Sequence, residues 1–281
     1  IMMSTLVPLA DVEQLSPRVI RVLGQNPNAF TLQGTNTYLV GEGERKILID
    51  TGEVNVPAYT DQLKAALKNA KIVAIICTHW HPDHIGGCEG VIKNVVGEEV
   101  PVYKIAGTDA QHRDHFEYVG DGFEVGVEGA TLQFVSTPGH TEDHASIWLK
   151  EERTLFSGDC ILGQGTTVFE DLYTYMQSLE KLKRLDATRI YPGHGPVVEN
   201  PKAKIDEYIN HRLAREKEIM KYFAQVNGAS SMDVVNSVYK AYPMSVRMGA
   251  LANVVQHCTK LVKENRLIQS NSDYYKINDS Y

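Results

Sequence analysis

The sequence predicts an α/β body of layered sheets and helices followed by a small helical appendage. Three observations predict it. Strand-like and helix-like segments alternate up to about residue 200, and beyond Pro201 helical periodicity takes over. A chain of 281 residues, 43% hydrophobic and 22% charged, can also bury a core large enough for one sizeable domain with a smaller partner. The expected division is residues 1–200 and residues 201–281.

Taken in order, residues 37–40, 46–50, 72–78, 131–136, 145–149, 154–157 and 189–191 are short runs of β-branched and aliphatic residues and read as strands. Between them, residues 59–71 and 172–185 repeat apolar side chains three and four apart and read as helices. Residues 202–224, 231–242 and 246–266 are helical in pattern, with Ser230 placed to cap and Pro243 to punctuate. Residues 266–277 suit a short hairpin. Three helices and a terminal hairpin make the appendage winged-helix-like.

No apolar run approaches the roughly 18 to 20 residues that span a bilayer, so no membrane role is expected. The N-terminal residues lack a basic cluster ahead of a long apolar stretch, and Asp11 and Glu13 weaken a transit-peptide reading. Cys77, Cys88, Cys160 and Cys258 have no paired spacing and read as buried free thiols of a reducing compartment. Residues 201–281 hold 12 Lys or Arg against 8 Asp or Glu, whereas the whole chain carries a net charge of −7. A basic tail on an acidic body fits an anionic partner such as nucleic acid, and equally a solvated helical face.

The chemistry concentrates at THWHPDH, residues 78–84, which puts three histidines and an aspartate directly after an apolar strand. Three later strand-like runs each end in another potential ligand beside glycine: FVSTPGH with His140, TLFSGD with Asp159 and RIYPGH with His194. Each strand would hold its polar end residue rigidly at one rim, while glycine lets the backbone turn and approach closely. Imidazole and carboxylate donors suit zinc, with iron or manganese as substitutes. The natural partition places His79, His81 and His140 on one ion and Asp83, His84 and His194 on a second, with Asp159 bridging. Two divalent ions, two aspartates and a bridging hydroxide leave a net charge of about +1, which favours an anionic substrate or transition state. A purely structural zinc site usually closes four ligands, often thiolates, whereas seven nitrogen and oxygen donors leave positions for water. His112, His115, His211 and His257 read as ordinary surface or core histidines.

With those residues in place, the chain resembles the metallo-β-lactamase fold superfamily. HxHxDH as His79, His81, Asp83 and His84, then His140, Asp159 and His194, match its motif residue by residue. The resemblance implies an αββα sandwich over residues of about 17 to 200, with two Zn²⁺ ions at one edge. GTNTYLVG, LIDTGE, THWHPDHIGG, TPGHTEDH, FSGDCILGQGTTVFEDL and YPGHGPV are similar to the glyoxalase II-like group. Within it, the likeness is to an endoribonuclease branch that carries a helical C-terminal extension. It further implies that Asp50 orients a histidine ligand, that His144 lies beside the site, and that the protein works in the mitochondrial matrix, with the cytoplasm as the alternative. Two departures narrow the choice. Only 34 residues separate Asp159 from His194, too few for the inserted domain of the RNA-cleavage-factor nucleases, and Asp159 stands where many antibiotic-hydrolysing members use cysteine.

Three readings follow from these residues. The first is a binuclear zinc endoribonuclease cleaving single-stranded RNA by attack of hydroxide, with Asp83 holding the nucleophile; Tyr173 and Tyr175 could stack bases but read first as core or rim packing and are not assigned to the site. The second is a hydroxyacylglutathione-like thioester hydrolase, and the third a non-catalytic RNA-binding protein with a structural metal site. His211 and Arg212, on the first appended helix, are expected to face back toward the centre. No substrate-binding residue is assigned, and both monomer and homodimer fit the sequence.

Overall fold

The computed structural model describes residues 6–107, 113, 115–278 and 280; the side chains of Ser245 and Val246, and His112, lie outside the described residues. The first sheet runs in chain order: β1 (Val12–Ser16), β2 (Val19–Leu23), β3 (Asn36–Val40), β4 (Arg45–Ile49), β5 (Lys71–Ile76), β6 (Val102–Ile105) and β7 (Phe116–Val119). Its first four strands pair antiparallel, and from β4 onward the pairing is parallel. The second sheet holds β8 (Glu124–Val127), β9 (Ala130–Ser136), β10 (Ala145–Leu149), β11 (Thr154–Gly158) and β12 (Arg189–Pro192), in the order β12-β11-β10-β9-β8.

The alternation of side chains explains why these strands are hydrophobic on both faces. Tyr38, Val40, Ile47, Ile49, Ala74 and Ile76 point into the space between the sheets, where they meet Leu132, Phe134, Ile147, Leu149 and Phe156 of the second sheet. Their neighbours Leu39, Leu48, Ile75 and Cys77 face outward, beneath α1 (Pro57–Leu67) and the helical turns α2 (Pro82–Ile85) and α3 (Cys88–Val91). On the far side, Val135, Leu155 and Ile190 pack against α4 (Leu172–Arg184) and the first half of α5 (Pro201–Phe223). In α4, Leu172, Tyr175, Leu179 and Leu182 recur at helical spacing to form that apolar face, and the Asp171 side chain caps the helix by accepting from the Thr174 N–H. The result is an α/β/β/α sandwich.

The appendage has its own core. Ile219 and Phe223 from the second half of α5 join Val234 and Val235 of α6 (Ser231–Val238), Val254, Cys258 and Leu261 of α7 (Met244–Lys263), and Leu267 and Tyr275. The last two belong to a small sheet of β13 (Ala229–Ser230), β14 (Leu267–Asn271) and β15 (Tyr274–Ile277). Ser230 and Asp233 form a reciprocal capping box at the start of α6. One helix, α5, therefore starts in the sandwich and ends in the appendage. Among the described residues no helix is long and apolar enough to cross a membrane.

Several sequence expectations change at their edges. The helix expected over 59–71 ends at Leu67, because Lys68 adopts a left-handed φ of 53° and Lys71 already pairs in β5. Strand β2 escapes a pattern search because Arg21 interrupts it; Arg21 is 1% exposed and pairs with Glu13 of β1 at 2.5 Å. Strands β1, β6, β7 and β8 are short and partly exposed, so their periodicity is weak. Tyr175 is not an exposed aromatic: it is fully buried, and its hydroxyl donates to the Cys160 carbonyl at 2.7 Å. Tyr173 is half-buried with Lys263 above its ring. All four cysteines are buried and free.

Candidate metal centre

The ends of β4, β5, β9, β11 and β12 open at one edge of the sandwich, and each delivers a polar residue there. Asp50 follows β4, His79 follows β5, His140 follows β9, Asp159 follows β11 and His194 follows β12. The loop and helical turn after β5 add His81, Asp83 and His84. Glycine packing makes the convergence possible: a side chain on Gly193 would collide with His84 and Asp159, and Gly158, at a φ of +47°, leaves no room beside His144 and Thr78.

All seven donors expected from sequence come together in two groups that could hold metal ions. His79, His81, His140 and Asp159 form one, and Asp83, His84 and His194 the other. In the first, His81 Nδ1 lies 3.0 Å from His79 Nε2 and 3.1 Å from His140 Nε2. In the second, His194 Nε2 lies 3.1 Å from Asp83 Oδ2 and 3.3 Å from His84 Nε2. Asp159 stands between them, Oδ1 being 3.3 Å from both His84 and His194 and Oδ2 3.6 Å from His140. Ligand atoms about 3.3 Å apart are what tetrahedral coordination with 2.0–2.1 Å bonds requires.

The outward nitrogens fix the tautomer, so that in the neutral rings a cation would require, the inward ones carry lone pairs. His84 Nδ1 donates to Asp50 Oδ2 at 2.7 Å, His140 Nδ1 to the Val168 carbonyl at 2.8 Å and His194 Nδ1 toward the Gly34 carbonyl at 3.3 Å. His79 Nδ1 lies 3.0 Å from the Thr78 hydroxyl, which itself donates to Asp50 Oδ2 at 2.9 Å. Each of these rings therefore turns a bare Nε2 toward its neighbours, and Asp159 Oδ1 is buried with no hydrogen-bond donor. Unshielded lone pairs and an orphaned carboxylate oxygen at one point fit a bound cation.

Electrostatics agree. Burial opposes ionisation of Asp83 and Asp159, yet the neighbouring His84 and His194 outweigh it and hold both carboxyls well below their usual range. His194 is carried up to about 9 against its own burial, chiefly by Asp159, and His84 rises likewise beside Asp83, Asp159 and Asp50. Burial and then the positive neighbours depress His79, and they push His81 down to about 4. The acids demand positive charge here, which a divalent cation can supply with every imidazole neutral.

Asp50 sits at a left-handed φ of 60°, held there because Oδ1 accepts from the Thr78 N–H at 2.8 Å and Oδ2 from both Thr78 and His84. It thus braces a histidine in each group. His144 is fully buried beside the centre, but its nitrogens are spent: Nδ1 donates to Thr137 Oγ1 at 2.8 Å and Nε2 accepts the Asp159 N–H at 3.1 Å. It steadies Asp159 and has no lone pair left for an ion. Cys160 faces the opposite way from Asp159, into the core under α4. Buried Lys104 of β6 pairs with Asp143 and ties the loop between His140 and His144 to the first sheet.

Of the remaining histidines, His115 and His211 are exposed and His257 is buried with Nδ1 donating to Asn253 O at 2.8 Å. Arg212, not His211, turns toward the centre. Residues not singled out from sequence include Thr35, whose hydroxyl donates to Asp83 Oδ2 at 3.2 Å, and Thr167, 3.2 Å from His140 Nδ1. The GTN triplet is a local cue for Thr35; nothing local marks Thr167.

Comparison with known proteins follows the same lines. The Metallo-beta-lactamase superfamily profile matches residues 30–194, and that of the Beta-lactamase associated winged helix domain matches residues 230–276. A Caenorhabditis elegans protein called Beta-lactamase-like protein 2 homolog is 53% identical over 265 residues, covering 93% of this chain and 90% of its own length. An Aspergillus chevalieri protein named Atrochrysone carboxyl ACP thioesterase is 40% identical over 262 residues, 90% of this chain and 83% of its own. A beta-lactamase domain protein from Burkholderia ambifaria has the same fold, with a TM-score of 0.81 at 18% identity, over 98% of this chain and 96% of that one.

Proposed function

Because this chain belongs to the metallo-beta-lactamase superfamily, whose members are generally metal-dependent hydrolases, we propose that it holds two Zn²⁺ ions and cleaves single-stranded RNA. The observation that carries the hydrolase reading is Asp159, which turns one oxygen toward each histidine group. The motif likeness to the endoribonuclease branch and the net positive charge of residues 201–281 support RNA as the anionic substrate.

His79, His81, His140 and Asp159 would hold one ion, and Asp83, His84, His194 and Asp159 the other. Bound there, the ions supply an acidified water and neutralise charge developing on the phosphodiester. The chain's own residues decide where that chemistry faces. His81 and Asp83 are the only half-exposed members of the two donor groups, so substrate meets the centre on their side. Asp83, whose Oδ2 accepts from the Thr35 hydroxyl, would hold the nucleophilic water toward the substrate. Asp50 and the Gly34 carbonyl hold the rings of His84 and His194 so that both would meet the same ion as Asp83.

A second reading, thioester hydrolysis, has one specific support: the 40% identity to a protein named as an acyl carrier protein thioesterase. One zinc-loaded preparation assayed on single-stranded RNA, a glutathione thioester and an acyl-carrier thioester separates the two. RNA cleavage, reduced on the order of 10²- to 10⁴-fold by Asp83→Asn with unchanged folding, is the expected result. Thioester turnover without RNA cleavage would replace the substrate assignment. RNA binding with no turnover of any substrate would leave the metal site a scaffold.

A further inference from the structure

Arg212 is 5% exposed on α5, and among the described residues no carboxylate pairs with it. Its Nε has no acceptor at all. Burying an unpaired guanidinium is costly, and an apolar side chain of similar volume would fill the space more cheaply. What Arg212 does contact is specific. Its Nη2 donates to the Thr167 carbonyl at 3.0 Å, and its guanidinium lies 4.7 Å from the centre of the Phe169 ring.

Those partners belong to the irregular segment between β11 and α4, which forms the collar of His140. The Val168 carbonyl accepts from His140 Nδ1 at 2.8 Å and the Thr167 hydroxyl lies 3.2 Å from the same nitrogen. The segment is gripped at three points from the appended helices. Tyr208 of α5 accepts from Leu162 N at 3.1 Å and donates to Gly165 O at 3.0 Å. Arg212 takes the middle. Gln256 of α7 accepts from Leu172 N at 3.2 Å and donates to Glu170 O at 2.6 Å. The two helices meet at the same place, His257 Nε2 lying 3.4 Å from the Arg212 carbonyl.

We propose that Arg212 is a positioning residue for the metal centre, anchoring Thr167 and Val168 from the appended helix so that His140 aims its Nε2 at the ion held with His79 and His81. The inference rests on reading His140 as a metal ligand. The appendage then steadies one of the two ion sites without supplying a ligand, and among the described residues Arg212 itself touches none that orients His84 or His194.

The test is Zn²⁺ titration of the full chain in competition with a chromophoric chelator, resolving two binding constants. His140→Ala and Asp83→Asn identify which constant belongs to which donor group. Arg212→Met should weaken the His140-linked constant about tenfold and leave the Asp83-linked constant within about twofold, the size of effect outer partners have on ligands. Arg212→Lys, which keeps the charge but not the planar fork, should recover part of the loss, and Gln256→Ala should weaken the same constant by less. Equal loss at both constants, or none at either, overturns the proposal. Should Arg212→Met fail to fold, Gln256→Ala decides alone, and unchanged constants there overturn it. A wild-type chain that binds no Zn²⁺ removes the metal reading and this inference together; one that binds two ions with Arg212→Met unaffected removes only the inference.

Discussion

At the scale of single residues, the centre depends on groups that never touch an ion. Asp50 is the clearest, since one carboxylate fixes the ring of His84 directly and that of His79 through Thr78. Replacing it by asparagine puts an amide donor against donors, so Asp50→Asn should lower Zn²⁺ affinity about 10- to 100-fold while circular dichroism stays unchanged. Affinity equal to the parent chain's would show that the two histidines need no brace. The donors themselves were legible because their side-chain identities carry the chemistry and their spacing marks strand ends. The Val168 and Gly34 carbonyls that orient His140 and His194 were not, because every residue has a carbonyl and only the folded backbone selects which one is aimed.

Among elements, α5 has the most to connect, and its ion network has a definite pH dependence. Glu216 is buried between Lys260 of α7, 2.5 Å away, and Arg266, with which it also pairs. Burial raises its carboxyl, but the two cations outweigh burial and leave it below the ordinary carboxylate value of 4.5. A depressed folded-state pKa contributes stability that is present above the unfolded value and is lost as pH falls through the folded one. Thermal melts should therefore show Tm falling below about pH 4.5, and Glu216→Gln should flatten that acid limb. The same variant should cost about 1–3 kcal/mol near neutral pH, because Lys260 and Arg266 each lose a charged partner and keep only Glu264. A melt with the parent's acid limb intact would mean other carboxylates set it. Helix α5 was readable as a helix from Pro201 and its apolar spacing; that its ends lie in two cores was not, since periodicity reports a buried face and not what covers it.

For the whole molecule, stability resides in the layer between the sheets, where Phe134 and Phe156 are buried against β3, β4 and β5. Phe134→Ala should cost about 3–5 kcal/mol by denaturant unfolding, with little change in the metal centre's ligand set. Ending the chain at Asn200 would strip Ile205, Tyr208 and Ile209 from the core under α4 and release all three grips on the His140 collar. Such a fragment should be poorly soluble and bind Zn²⁺ weakly; a soluble, fully active fragment would make the appendage dispensable. By itself, the sequence determined the layered class, most of the strands and helices, and the seven donors, because burial imposes periodicity and metal chemistry demands particular side chains. Only the tertiary structure decided which donors share a point, that Asp159 turns one oxygen to each group, that Tyr175 is core, and that Arg212 reaches the segment bordering His140 while His211 faces solvent. Those are facts of distance and direction between segments far apart in the chain, and no local pattern encodes them.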